Sequence, residues 1–93
     1  MEIVNLWVIE KFKRQYASSR KPLEEWINKT IQASWESPND IKRLFASASF
    51  VKQFVIFNIG GNKYRLLTIV VYEIKRVRIL KVGTHEEYGR WNL

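Results

Sequence analysis

Apolar residues at Val8, Ile9, Phe12 and Tyr16 recur at helical spacing, with Glu10, Lys11, Lys13 and Arg14 mostly between them. This predicts an amphipathic helix after a short β-prone start at Ile3-Val4, with Asn5 as its N-cap. Ser18-Ser19-Arg20-Lys21 interrupts the pattern. Pro22 then suits the first turn of a second helix, where Glu24 and Glu25 would complement the helix dipole. Leu23, Trp26, Ile27, Thr30, Ile31 and Ser34 form the apolar stripe of that helix. Packing both helices on one face of a sheet would bury both stripes. Ser37-Pro38-Asn39-Asp40 combines an N-cap, a first-turn proline and an early acid, and opens a short helical turn from Ile41 to Phe45.

The pattern changes beyond residue 50. Phe50–Ile59, Lys63–Glu73 and Val77–Val82 are rich in β-branched and aromatic residues, and predict three consecutive antiparallel strands. Gly60-Gly61-Asn62 between the first two reads as a hairpin turn that needs positive φ. Pairing Asn58 with Lys63 or Arg65 sets Lys52, Phe54, Ile56 and Asn58 on one sheet face with Lys63, Arg65, Leu67, Ile69 and Val71. A two-residue turn at Lys75-Arg76 would add Arg78, Leu80 and Val82 to that face; a slip of one residue would move them to the other. Both faces of the middle strand are largely apolar, so one packs on the helices and the other, only partly covered, points to a partner. Thr84 and Glu87 are spaced as a capping box for a short helix from His85, which sets His85 and Tyr88 on neighbouring positions of one helix face. Trp91 offers an apolar anchor for the C-terminus. The expected fold class is α+β: two N-terminal helices packed on a small, mainly antiparallel sheet, with a short C-terminal helix, in one domain over residues 1–93.

Composition narrows the chemistry. With no cysteine and one histidine, the chain has no disulfide framework and no zinc–thiolate site, and we expect neither metal nor cofactor. The first residues lack a basic secretory opening, and the longest near-continuous apolar stretch, Leu66–Tyr72, is too short to span a bilayer, so a cytoplasmic location without membrane contact is expected. The net charge of +7 is uneven. Residues 1–40 balance six Lys/Arg against six acids, whereas residues 41–82 carry nine against Glu73 alone. Charge this concentrated favours a polyanionic partner, although a basic surface also serves solubility.

Cleavage of RNA needs a base for the ribose 2′-hydroxyl, a cation for the pentacoordinate phosphorane and an acid for the departing 5′-oxygen. Histidine can act as either acid or base, and arginine binds phosphate oxygens in pairs while keeping its charge. His85, Arg65 and Tyr88 are therefore the candidates for chemistry, with Lys52 and Lys63 for flanking phosphates. Plainer roles compete: an exposed His85 at a helix start, Tyr88 packed on the sheet, Arg65 paired with Glu73 or a helix acid, and Asn58 and Asn62 as turn residues.

Phe57-Asn58-Ile59-Gly60-Gly61-Asn62-Lys63-Tyr64-Arg65-Leu66, followed by a hairpin and Val82-Gly83-Thr84-His85-Glu86-Glu87-Tyr88, resembles the HigB-type toxins of bacterial toxin–antitoxin pairs, within the RelE-like superfamily. The resemblance covers most of the chain. It implies a RelE-like fold and a metal-independent endoribonuclease that cleaves mRNA, often on the ribosome, and inhibits translation. It also implies an antitoxin partner, typically with a helix-turn-helix DNA-binding domain. It maps phosphate stabilisation onto Arg65, acid–base work onto His85 and stacking or proton handling onto Tyr88. Asn58, Asn62 and Lys63 match motif positions and, with Lys52 and Arg78, are the candidate RNA contacts. Two positions depart from the family pattern: Leu80, where relatives commonly have Arg, and Gly89, where they have Asp. Arg78 is the residue that would substitute for the missing arginine. The alternative reading is a non-catalytic basic module that binds RNA or protein.

Overall fold

The first strand, β1 (Glu2–Val4), lies parallel to the last, β5 (Arg76–Thr84), so both ends of the chain enter one sheet. A computed structural model describes all of residues 1–93. Between these strands come α1 (Leu6–Gln15), a 3₁₀ turn (Ala17–Ser19), α2 (Arg20–Gln32), α3 (Pro38–Leu44), β2 (Ser49–Val51), β3 (Phe54–Ile59) and β4 (Tyr64–Val71); α4 (His85–Tyr88) follows β5. The sheet order is β1-β5-β4-β3-β2, antiparallel except for β1. This is the α+β, RelE-like arrangement expected, with five strands rather than three.

Strand alternation builds the core. Val55, Phe57, Ile59, Leu66, Val77 and Ile79 form one buried cluster with Ile9 and Phe12 of α1, Leu23 and Trp26 of α2 and Ile41 of α3. Phe57 is its aromatic hub, with ring centroids 5.2 Å from Trp26, 5.3 Å from Phe45 and 6.1 Å from Trp35. Phe12 stacks on Tyr16 at 4.5 Å and meets Tyr64 edge-on at 5.5 Å. The stripe expected on α2 is buried at Leu23, Trp26 and Thr30, but Ile31 is exposed and Ser34 lies beyond the helix.

Several local expectations are corrected. Asn5 precedes α1 in a left-handed conformation, φ 70°, and does not cap it; its side-chain amide donates to the Ile79 carbonyl at 3.3 Å instead. The α2 helix starts at Arg20, continuing the 3₁₀ turn, which leaves Pro22 in the first turn but Glu24 and Glu25 outside it. Ser37 precedes α3 without a side-chain cap, and the Asp40 carboxylate instead accepts from the Glu36 amide at 2.9 Å. The run Phe50–Ile59 is folded back on itself at Lys52-Gln53, with Lys52 at φ 54° and Val51 opposite Phe54. No glycine, proline or asparagine marks that turn. The second hairpin loop spans Tyr72–Lys75 rather than Lys75-Arg76, with Lys75 at φ 55°.

The Gly60-Gly61 turn is as expected, with φ 63° and 69°, and Asn58 pairs with Arg65. Lys63 lies in this turn rather than on the strand. A bulge on β5 alters the rest of the register: Lys81 faces Leu67 and Ile79 faces Thr68, so Leu80 is the extra residue. Val82, opposite Leu66, therefore packs with the core, and Lys81 and Gly83 take the Arg65 face instead. Arg78, opposite Ile69, remains on that face as expected.

Away from the helices, Ile56 and Leu67 are buried, whereas Val71 and the nearby Ile74 are exposed. No helix is long and apolar enough to cross a membrane. Replacing the aromatic hub tests the core assignment. Phe57→Ala is expected to lose about 3–5 kcal/mol, seen as a lowered urea midpoint with an unchanged slope.

Candidate active site

The Gly60–Lys63 turn, the start of β4 and the end of β5 meet at one corner of the sheet. Arg65 enters it from β4 and is only 8% exposed. Its guanidinium has no carboxylate partner; the expected competitor, Glu73, is not engaged. Neutral acceptors hold it instead. Nη1 donates to the Tyr64 carbonyl at 3.1 Å and the Asn62 carbonyl at 3.3 Å, and Nη2 donates to Asn62 Oδ1 at 3.3 Å. The ring of Tyr88 covers the group, with Cζ 5.4 Å from its centroid, a cation–π contact. A guanidinium buried this way is fixed in direction but keeps its full charge for an anion.

The capping box forms as its sequence predicts: Glu87 N–H donates to Thr84 Oγ1 at 3.2 Å, and Thr84 N–H donates to Glu87 Oε1 at 2.8 Å. This sets α4 against the glycine turn, because His85 N–H donates to the Lys63 carbonyl at 2.9 Å. The His85 side chain is exposed at the first position of α4, and Tyr88 is half-buried, edge-on to Trp91 at 5.5 Å. Trp91 lies so close over Gly83, the partner of Arg65, that a Cβ there would come within 2.8 Å of its ring. Only glycine admits that approach.

Arg65, Tyr88, Asn62, Lys63 and His85 are thus brought to one corner, with Asn58 across the strand from Arg65. Both carbonyl oxygens of Asn62 accept from Arg65 and orient it. Lys52 and Arg78 are not part of the corner. Lys52 sits in the β2–β3 turn, at the far end of β3 from Asn58, and its ammonium hydrogen-bonds the Leu93 carbonyl. Arg78 lies four β4 positions from Arg65, roughly 13 Å along the sheet, in a groove with Val4, Ile69 and Val71. Leu80 itself lines a cleft with Trp7 and Val8 of α1, so the departure there removes nothing from the Arg65 face. Gly89 has φ −60° and its amide closes α4 on the His85 carbonyl at 3.3 Å, so the short helix is not frayed by it.

Lys81 was not singled out by sequence pattern. It shares the Arg65 face, with Nζ 5.8 Å from the Trp91 ring centroid. Only the bulge, which carries no signature of its own, reveals it. No three His, Cys, Asp or Glu side chains converge as metal ligands.

A small, mainly antiparallel sheet with helices and a short C-terminal helix is consistent with the RelE-like fold. Residues 19–91 match the family model described as HigB toxin, RelE-like toxic component of a toxin–antitoxin system, and the chain belongs to that family. It is 24% identical over 91 residues to the mRNA interferase toxin HigB of Escherichia coli K12, covering 95% of this chain and 88% of that relative. The proteins named mRNA interferase HigB from Escherichia coli O157:H7 and Shigella flexneri match to the same extent.

The close packing at Gly83 is directly testable. Gly83→Ala is expected to push Trp91 off the sheet and cost about 1–3 kcal/mol. The readouts are a shifted Trp91 indole N–H resonance and a lowered melting temperature.

Proposed function

We propose that this toxin is a metal-independent endoribonuclease that cleaves mRNA at the Arg65 corner, acts on the ribosome in the cytoplasm, and is neutralised by an antitoxin with a helix-turn-helix domain. The observation that carries this reading is the buried Arg65 guanidinium, oriented by Asn62 and Tyr88 yet without a counter-ion. Such a group favours an anion, and most of all the phosphorane, whose charge develops during the reaction. Arg65 holds its oxygens. His85, exposed beside the turn, either takes the proton of the 2′-hydroxyl as its oxygen bonds to phosphorus or gives a proton to the 5′-oxygen as its bond to phosphorus breaks, and solvent water serves the other transfer. Tyr88 supports the guanidinium and offers its outer edge to a base.

The cations nearest this corner, Lys63 and Lys81, are exposed and suit the flanking phosphates; Asn58 lies within reach of the same strand of RNA. Lys52 and Arg78 fit a longer electrostatic track rather than the scissile site. The similarity to proteins named mRNA interferases supports the choice of substrate.

Expression of the chain alone is expected to arrest growth and create new mRNA 5′ ends, mapped by sequencing. Arg65→Ala and His85→Ala are each expected to reduce those ends by about 100-fold or more without lowering the melting temperature by more than a few degrees. Undiminished cleavage by a stably folded double variant would refute the site. Growth arrest without new ends would point to a binding module instead.

A further inference from the structure

Of the four tryptophans in the chain, one stands on the sheet face that carries Arg65. Trp26 and Trp35 are buried in the helical core, and Trp7 lines the cleft between α1 and β5. Trp91 is placed differently. A Cβ on Gly83 would point at its ring, and Gly83 is the β5 partner of Arg65, so the indole lies beside the guanidinium. Its setting is firm. The backbone of Gly83 supports it, Tyr88 meets it at an interplanar angle of 86°, and Lys52 holds the tail beyond it by bonding the Leu93 carbonyl. Tyr88 is its only aromatic neighbour, so no ring lies flat on the indole.

What lies over the ring is a cation. The Lys81 ammonium is 5.8 Å from the indole centroid, near the outer limit of a cation–π contact, and has no ion-pair partner. Lys81 is exposed and Trp91 is half-buried, so both remain open to solvent. A cation–π contact at an exposed site is weaker than the stacking of a nucleobase on an aromatic ring. A base can therefore displace the ammonium, which binds a phosphate more strongly than a ring. The spacing suits that exchange. Gly83 and Lys81 are two positions apart on β5, roughly 7 Å, so Arg65, the indole and Lys81 follow one another along the sheet. Cation, ring, cation matches the phosphate, base and phosphate of one nucleotide in a single strand of RNA.

We propose that Trp91 is a base-stacking platform for single-stranded RNA, which takes the nucleobase next to the phosphate held by Arg65, and that Lys81 covers this platform until RNA arrives. On binding, the base lies on the indole and Lys81 moves to the phosphate on the far side of that nucleotide. Tyr88 keeps its contact with the Arg65 guanidinium and stiffens the platform from the side. Because every base has a π-face, the platform fixes the position of a nucleotide more than its identity. The inference rests on the reading that Arg65 holds the scissile phosphate.

The test uses the whole chain and a fluorescent RNA hexamer, blocked against cleavage by 2′-O-methyl groups, together with a series in which each base in turn is removed. One abasic position is expected to weaken binding to the wild-type chain by about tenfold. Trp91→Leu is expected to weaken binding of the intact hexamer by about tenfold and to erase the penalty at that position, a non-additivity that mere loosening of the fold would not produce. Lys81→Met is expected to keep the penalty but lower the salt slope of binding by about one. In the wild-type chain, the Trp91 indole N–H resonance is expected to shift with the intact hexamer and much less with the abasic one. If Trp91→Leu does not fold, this resonance decides. A hexamer that binds without moving it, or an abasic penalty that survives in folded Trp91→Leu, would overturn the platform. So would failure to bind the hexamer at about 1 mM. Absence of new mRNA 5′ ends on expression would sink the cleavage reading instead, and leave the hexamer result to judge Trp91.

Discussion

The constraint on which this structure turns is a buried positive charge without a negative partner. Removing a guanidinium from water costs several kcal/mol unless its donors are satisfied. Arg65 meets that demand with two carbonyl groups and an amide oxygen supplied by residues 62 and 64, beside it in the chain. Those acceptors converge only because the Gly60-Gly61 turn takes positive φ and brings Asn62 back over the strand. The ring of Tyr88 completes the enclosure from the other side, and that ring is in place because a capping box starts α4 at Thr84. A glycine at 83 then lets the Trp91 ring approach the strand opposite closely. Each of these features is local, yet they share one task.

The helical core stands behind this corner rather than in it. Phe57 and its aromatic neighbours fix the position of β3, which pairs with β4 and so places Arg65. Polar satisfaction at the corner and apolar packing on the far face are thus coupled through a single pair of strands. The sheet is the rigid element that lets a four-residue helix hold an aromatic side chain over a cation.

Much of this was legible in the residues. The helices, the glycine turn and the capping box follow from local chemistry that acts within a few positions, and the pairing of Asn58 with Arg65 follows from parity. What could not be read depends on longer-range geometry. The fold at Lys52-Gln53 lacks any turn residue, because the gain from adding an edge strand, not local preference, sets Lys52 at positive φ. The bulge at Leu80 likewise leaves no mark. Without it, parity sends Val82 to the Arg65 face and hides Lys81; with it, the two exchange. The contact of Asn62 with Arg65 was also out of reach, since nothing local singles out that partner for its side chain.

The bulge has a further meaning for how this chain is compared with others. On either side of Leu80, strand β5 keeps its own in-phase alternation of faces. Removing that residue would join the two halves without inverting either. A one-residue length difference is therefore phase-neutral at the bulge, and away from it would turn part of the strand's side chains inside out. Aligned to a relative with an unbulged strand, a single gap belongs at Leu80. An arginine that alignment places opposite Leu80 need not occupy the same face of the sheet.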